Sequence, residues 1–245
     1  MVVRTDLFPD ELIAAIDNWQ SGSEGKAQKA QRLRALTRHL PATYRAAPQT
    51  VFRQIRINAQ LSVGIALDAI PETVSSWTLS LEVAQRFREN HLDATKVMVI
   101  FARRPAPDDV ILNLDAVYED GDFIDTANAA AFRLGREFRG IARWKGTQKE
   151  VVLDETVIGN DEIVSLGAFR KLSDIAPMLG EPDPNAPPDD QLFRYLTGRR
   201  VDEHFWTSPE SAAIGIRNAA DRMRTFLAEK RLWPTERPDE MIFFS

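Results

Sequence analysis

The strongest constraint on the fold is a series of short strand-like runs in the middle of the chain. These runs are rich in β-branched and aromatic residues, which favour strands. Residues 96–101 form the clearest one, a continuous apolar run typical of a strand that is buried on both faces. The regular strand–helix alternation of a doubly wound fold is absent. The sequence therefore predicts an α+β protein with a core of short mixed or antiparallel strands.

The expected element boundaries follow from hydrophobic periodicity and from capping residues. Strands are predicted at residues 50–57, 72–78, 96–101, 110–114, 148–153 and 162–166. Helices are predicted within residues 6–40 with a break at 21–23, at 60–70 and 81–89, in part of 126–143, and after Ser208. Ser80 is the expected N-cap of the 81–89 helix, with Val83, Ala84 and Phe87 facing inward.

The order of these elements predicts three consecutive segments. Residues 1–48 form an N-terminal helical segment, and residues 49–170 hold the strand-rich core. Residues 171–245 are expected to begin with a linker, because residues 177–188 are dense in proline, and to continue as a C-terminal helical segment.

The composition excludes several kinds of site. The 245 residues contain no cysteine, which excludes disulfides, thiolate metal ligands and a cysteine nucleophile. The three histidines lie far apart, so no metal site is predicted. A net charge of −5 gives no global positive field for nucleic acid or an anionic membrane. Without a secretory signal pattern or a long apolar run, we expect a cytoplasmic protein with no membrane partner.

Three polar motifs lie in or beside the predicted strands. Arg53 interrupts an apolar strand, and a guanidinium can form paired hydrogen bonds with phosphate oxygens. Ser76 and Thr78 stand just before a helix. Gln148 and Glu150 are expected to share one side of an edge strand, because strand side chains alternate with period two. Taken singly, each motif also fits an ordinary exposed strand residue or a helix cap.

Together these motifs resemble the Arg–Ser–Glu type of the mono-ADP-ribosyltransferase superfamily, which includes cholera-like and C3-like toxins. Val51-Phe52-Arg53 is similar to the family's aromatic–arginine element, and Ser76-Trp77-Thr78 is similar to its Ser-x-Thr/Ser element. Gln148-Lys149-Glu150 resembles its Gln/Glu-x-Glu element. The resemblance covers residues 50–155 and implies an ADP-ribosyltransferase-like core, with NAD as a substrate and no metal.

The chain departs from the family pattern in its spacing and at one residue. Arg53 and Ser76 are 23 positions apart (76 − 53), which is short for the family. Ser76 and Glu150 are 74 positions apart (150 − 76), which is long, so an insertion is expected at residues 119–145. Gln54 stands where the family often has glycine, which bears on how closely NAD approaches the backbone.

The resemblance implies a role for each motif. Cleavage of the nicotinamide–ribose bond develops positive charge on the ribose, and a carboxylate stabilises such a cation. Glu150 is the expected stabilising group, and Gln148 is expected to position the acceptor. Arg53, Ser76 and Thr78 are expected to bind NAD, with Ser76 also hydrogen-bonded to the Glu150 carboxylate and Thr78 bracing either the strand or the nicotinamide. The expected catalytic set is Glu150, Gln148, Ser76 and Arg53.

The acceptor is expected to be a macromolecule. In the family, Gln-x-Glu goes with acceptors other than arginine, which include protein amides and nucleic-acid bases. The segment before Glu150 is basic, with cations at Arg133, Arg136, Arg139, Arg143, Lys145 and Lys149. Phosphate contacts by these cations and stacking of a base on Trp144 favour nucleic acid over a protein side chain. The alternative is a solvated helix face that Trp144 anchors to the core.

Three functions are therefore compared. The first is a toxin-like ADP-ribosyltransferase that acts on a nucleic acid or protein and that an antitoxin partner could inhibit. The second is an NAD glycohydrolase, which uses the same residues with water as the acceptor. The third is a non-catalytic binding module on the same scaffold.

Overall fold

The computed structural model describes residues 5–22, 24–87, 98–169 and 205–229. The chain forms two compact units that interleave along the sequence. Unit 1 contains Met1–Phe52, Thr73–Val83 and Arg103–Thr156. Unit 2 contains Arg53–Glu72, Ala84–Ala102 and Val157–Ser245. Each unit combines helices and antiparallel strands, so the predicted α+β class is confirmed.

The secondary-structure elements are named here in chain order. The helices of the described residues are α1 (Asp10–Gln20), α2 (Lys26–Thr37), α3 (Ala59–Leu67), α4 (Leu81–Arg86), α5 (Leu114–Glu119), α6 (Phe123–Leu134), α7 (Arg139–Trp144) and α8 (Pro209–Glu229). The strands of the described residues are β1 (Val51–Arg56), β2 (Ile70–Glu72), β3 (Ser75–Thr78), β4 (Met98–Arg103), β5 (Val110–Asn113), β6 (Glu150–Leu153), β7 (Thr156–Ile158), β8 (Ile163–Phe169) and β9 (Phe205–Trp206).

The sheet of unit 1 has the strand order β5-β6-β3-β1, and β1 contributes its first two residues to this unit. All three strand pairs are antiparallel. In the register of β3 with β6, Ser76 lies opposite Val152 and Thr78 lies opposite Glu150. Phe52 of β1 pairs with Thr78 on its other side. The strand that begins with Glu150 is therefore an interior strand of this unit.

The core of unit 1 joins the N-terminal helices to this sheet. Leu12 and Ile16 of α1, Leu33 of α2 and Val152 of β6 all belong to one cluster and are fully buried. Burial of one such side chain stabilises the fold by about 2 kcal/mol. Helices α5 and α6 add further side chains to the same cluster. The residues expected to form a separate N-terminal segment thus share a core with the strands that follow them.

Unit 2 is built on the strands β4-β8-β9 and on the packing of α3 with α8. In β4, Val99, Ile100 and Phe101 are fully buried, which confirms the strand that the apolar run predicts. The Oγ of Ser208 accepts a hydrogen bond from the Ser211 amide at 3.3 Å, so α8 begins where the sequence indicates. Strands β2 and β7 form a small two-stranded sheet.

Some element predictions were wrong in detail. The strand expected at 72–78 is two strands, β2 and β3, separated by two residues. The strand expected from residue 148 begins at Glu150, and Phe87 is 41% exposed rather than directed inward. Helices α6 and α7 both overlap residues 126–143, so this stretch is partly helical as predicted. The linker expected at 177–188 lies outside the described residues.

No helix in the described part of the chain combines the length and the apolar character that a bilayer span requires.

Candidate functional site

The pairing of β3 with β6 brings Ser76 and Glu150 together. These residues occupy diagonal positions on one face of the two strands, because residues two apart in a strand share a face. The Ser76 hydroxyl donates a short hydrogen bond to Oε1 of Glu150. The contact expected between the serine and the carboxylate is therefore present, across 74 positions of sequence.

Two further donors reach the Glu150 carboxylate from the end of α1. The indole Nε1 of Trp19 donates to Oε1 at 2.9 Å, and the amide Nε2 of Gln20 donates to Oε2 at 2.8 Å. Trp19 Nε1 also lies 3.2 Å from the Ser76 Oγ. Three neutral groups thus hold one carboxylate whose residue is only 6% exposed. The edge strand expected for Glu150 was wrong, because β6 is an interior strand of unit 1. The end of α1 supplies two of the groups that bond the Glu150 side chain.

Tyr118 of α5 extends this network by one step. Its hydroxyl donates to Oε1 of Gln20, while Nε2 of the same amide donates to Glu150. Burial raises the pKa of the Tyr118 hydroxyl, and the negative charge of Glu150 raises it further, because both disfavour a phenolate. The phenol therefore stays a hydrogen-bond donor at neutral pH, which fixes the orientation of the Gln20 amide.

Gln148 does not share a strand face with Glu150, and that prediction was wrong. Gln148 precedes β6, and Lys149 has a left-handed backbone with φ of 47°, which interrupts the alternation of side chains. The Gln148 side chain is half-buried. Its backbone carbonyl accepts a hydrogen bond from Oγ1 of Thr78 at 2.7 Å, and the Lys149 carbonyl accepts one from the Leu79 amide at 3.0 Å.

Thr78 braces the strand, the first of the two roles predicted for it. Its Oγ1 donates to the loop before β6 and accepts from the Ser80 amide at 3.2 Å. Ser80 in turn caps α4, since its Oγ accepts from the Val83 amide at 3.3 Å. The two hydroxyl residues of the Ser-x-Thr element therefore have different partners. Ser76 bonds the Glu150 carboxylate, and Thr78 bonds the backbone of the loop before β6.

Arg53 belongs to unit 2. Its Nη2 lies 2.9 Å from a carboxylate oxygen of Glu72 in the same unit, and both side chains are largely buried. The ion pair holds the guanidinium in a defined direction. The described contacts bring Ser76, Thr78 and Glu150 together within unit 1, and the contribution of Arg53 to NAD binding stays a prediction.

Several cations of the basic segment already have acidic partners in unit 1. Arg133 bonds Asp10 at 2.5 Å, and Arg136 bonds Asp17 at 3.0 Å. The Trp144 indole N–H donates to the Gln20 carbonyl at 3.1 Å. Trp144 therefore anchors α7 to α1, which is the alternative that the sequence left open. Arg143 and Lys145 remain exposed beside it, with Arg143 stacked 4.5 Å from the Trp144 ring centre.

The sequence patterns did not identify Trp19, Gln20 or Tyr118 as site residues. Trp19 follows Leu12 and Ile16 at helical spacing, which predicts a core position, and it is indeed only 7% exposed. The one available signal was a tryptophan and a glutamine placed together at the end of an amphipathic helix. That signal does not specify a partner 130 positions away.

The described residues contain no group of three or more acidic, histidine or cysteine side chains that could hold a metal ion. No protein-family model, curated protein or solved structure matches this chain.

Proposed function

We propose that this protein transfers ADP-ribose from NAD to a macromolecular acceptor. The observation that carries the proposal is the Glu150 carboxylate, buried and held by the Ser76 hydroxyl on an adjacent strand. Its three donors are neutral, so they orient the carboxylate without cancelling its charge. A rigid negative charge of this kind stabilises a cationic transition state.

In the proposed reaction, the bond between the ribose C1′ and the nicotinamide nitrogen breaks. The bonding electrons leave with nicotinamide, and positive charge develops on the ribose ring. Glu150 stabilises that charge. A nucleophilic atom of the acceptor then bonds to C1′ and loses its proton, and water in the same place would give free ADP-ribose.

The hydrogen bonds of Glu150 leave room for one substrate contact. A carboxylate has about four acceptor positions. Among the described residues, Ser76 and Trp19 donate to Oε1 and Gln20 donates to Oε2. The remaining position on Oε2 suits a single hydroxyl donor, such as a ribose hydroxyl of NAD.

Two further residues, Arg53 of unit 2 and Gln148 of unit 1, have proposed roles in the reaction. The guanidinium of Arg53 is proposed to bind the NAD pyrophosphate, for which its planar donors are suited. Gln148 is proposed to position the acceptor from the loop before β6. Its side chain is half-buried beside the braced backbone of this loop.

The acceptor favoured here is a nucleic-acid base. Arg143 and Lys145 are exposed in the segment that leads to Gln148 and are available for phosphate contacts. The acid partners of Arg133 and Arg136 make the basic surface smaller than the sequence predicts. A protein side chain other than arginine is the alternative acceptor.

The test incubates the full chain with NAD labelled in its adenylate part and a whole-cell extract. Protease and nuclease treatments then show which polymer holds the label. We expect label in the nuclease-sensitive fraction, and the Glu150→Gln variant should transfer at least about 100-fold more slowly. Undiminished transfer by this variant would remove Glu150 from the mechanism.

Two outcomes select the alternative functions. Rapid release of nicotinamide from NAD alone, without label on any polymer, would identify a glycohydrolase. Absence of both NAD binding in calorimetry and nicotinamide release would leave the binding module.

A further inference from the structure

We propose that Trp19 and Gln20 of α1 are positioning residues for Glu150, with Tyr118 acting through Gln20. This inference rests on the proposed function, since it concerns the same carboxylate. It extends the site beyond the three motifs of residues 50–155 to the N-terminal helix. The helix is then part of the catalytic apparatus as well as part of the core.

The geometry assigns the two α1 side chains different tasks. Trp19 donates to the oxygen that Ser76 also bonds, so the pair fixes Oε1 from two directions. Gln20 donates to the other oxygen and thereby sets the rotation of the carboxylate about its own axis. With Ser76 alone, the carboxylate could rotate away from the position where ribose charge develops.

Tyr118 decides which end of the Gln20 amide faces the carboxylate. An amide can present either an oxygen or an NH₂ group, and only the NH₂ group can donate. The Tyr118 hydroxyl donates to Oε1 of Gln20, which leaves Nε2 for Glu150. Loss of the phenol hydroxyl removes this selection and permits a flipped amide that repels the carboxylate.

Helix α7 holds the end of α1 in place. Asp17 accepts hydrogen bonds from the amides of Gly140 at 2.7 Å and Ile141 at 3.3 Å. Trp144 bonds the Gln20 carbonyl. A Cβ on Gly140 would lie 2.5 Å from the Asp17 carbonyl oxygen, so the two helices approach as closely as glycine allows. The Trp19 and Gln20 donors are therefore fixed before any substrate binds.

A positioning role has a distinctive kinetic signature. Trp19 and Gln20 are proposed to contact the carboxylate and not the NAD phosphates, so their loss should change kcat and leave KM for NAD nearly constant. A displacement of about 1 Å in a catalytic group can lower a rate about 100-fold. We expect Trp19→Phe to lower kcat for nicotinamide release by about 10- to 100-fold, with KM changed less than about twofold.

The experiment compares Trp19→Phe and Tyr118→Phe with Tyr44→Phe in the 245-residue chain. Tyr44 is the matched control, because its ring lies in the same core cluster and its hydroxyl bonds Asp120, whereas the Tyr118 hydroxyl bonds Gln20. Nicotinamide release and thermal unfolding are measured for all three variants and the wild type. Tyr118→Phe should lower kcat several-fold. Tyr44→Phe should keep the wild-type kcat, even if its melting temperature falls as far as that of Tyr118→Phe.

The outcomes separate the inference from the proposed function. If the wild type releases nicotinamide and both site variants keep its kcat while folded, the positioning role is wrong and the proposed function stands. Equal loss of kcat in Tyr44→Phe would also overturn the inference, since the effect would then follow stability. If the wild type neither releases nicotinamide nor transfers ADP-ribose, the proposed function fails and this inference fails with it.

Discussion

The carboxylate of Glu150 is buried, and three neutral groups donate hydrogen bonds to it. A carboxylate is stable in a buried position only when it accepts hydrogen bonds. The buried donors need the carboxylate in the same way, because without it they would be left unpaired. Trp19 and Gln20 come from a helix and Ser76 from a strand, so the carboxylate also links these two elements. The same residue thus serves the fold and, in the proposed function, the reaction.

The Glu150→Ala variant should lose stability as well as activity. It leaves the Trp19 indole N–H and the Gln20 amide without their acceptor, and we expect the free energy of unfolding to fall by about 3 kcal/mol. Urea denaturation measures the loss. Glu155→Ala is the control, because its carboxylate is 70% exposed, and it should change the stability by less than about 0.5 kcal/mol. Equal stability of the two variants would contradict the described hydrogen bonds.

The raised pKa of Tyr118 predicts a loss of stability in alkali. Burial, and then the charge of Glu150, keep the proton on this phenol in the folded protein. The unfolded chain releases the same proton near pH 10, so the unfolded state binds fewer protons there and stability falls as pH rises further. We expect Tyr118→Phe to show a shallower decline above about pH 10, by up to about 1.4 kcal/mol per pH unit. The free energy of unfolding is measured by urea denaturation at each pH. If it falls equally steeply with pH in the wild type and in Tyr118→Phe, Tyr118 is not the cause of the decline.

Among the elements, α1 and α7 form the contact on which the site most depends. Asp17 accepts hydrogen bonds from amides in the first turn of α7. At the last residue of α7, the Trp144 indole donates to the backbone carbonyl of Gln20. Arg136 adds an ion pair to Asp17 at 3.0 Å. Because α7 leads directly into the loop of Gln148, the same contact joins the acceptor side of the proposed site to the side that orients the carboxylate.

Gly140→Ala tests this helix contact. The new methyl group would lie 2.5 Å from the Asp17 oxygen and 2.9 Å from the Ser21 Oγ, so one helix must shift. We expect a loss of about 1–3 kcal/mol in the free energy of unfolding and a lower kcat for nicotinamide release. Gly121→Ala is the matched control, since a Cβ there meets no atom within 4 Å. A destabilisation of the same size in both variants would show that the close approach is not the cause.

For the molecule as a whole, charge governs which acceptors can approach. The net charge of −5 opposes nucleic acid at long range, so any nucleic-acid binding must come from a local basic surface. Two of the arginines predicted to form that surface are paired with Asp10 and Asp17. The exposed pair of Arg143 and Lys145 is what the proposed acceptor preference depends on.

Reversing this pair should separate acceptor binding from NAD chemistry. The double variant Arg143→Glu with Lys145→Glu should lower transfer to nucleic acid about tenfold or more, and the loss should shrink as salt is added. Nicotinamide release from NAD alone should stay unchanged. Arg32→Glu with Arg38→Glu makes the same change in net charge at two exposed positions, one on α2 and one directly after it, and should leave transfer near the wild-type rate. Equal effects of the two pairs would favour a global charge effect and argue against this surface.

The amino-acid sequence by itself determined the element types and the candidate motifs. Apolar periodicity and caps are local signals, so α1, α2 and α8, the buried strand at 98–101 and the cap at Ser80 were predictable. The match of Ser76 to Glu150 was also predictable, through the resemblance of short motifs. The element types and caps depend on residues close together in the sequence. The pairing of Ser76 with Glu150 was predicted because both residues belong to motifs of the same family pattern.

Only the tertiary structure decided what surrounds Glu150. A strand register and a helix position set which side chains meet, and neither leaves a local signal in the sequence. The left-handed backbone of Lys149 takes Gln148 off the strand face that Glu150 occupies. The Glu150 carboxylate, expected on an edge strand, is buried where α1 approaches β6. The Trp19 side chain is largely apolar and carries one hydrogen-bond donor. Its helical spacing predicted that it would be buried. That its donor would bond Glu150 depended on the position of α1 relative to β6.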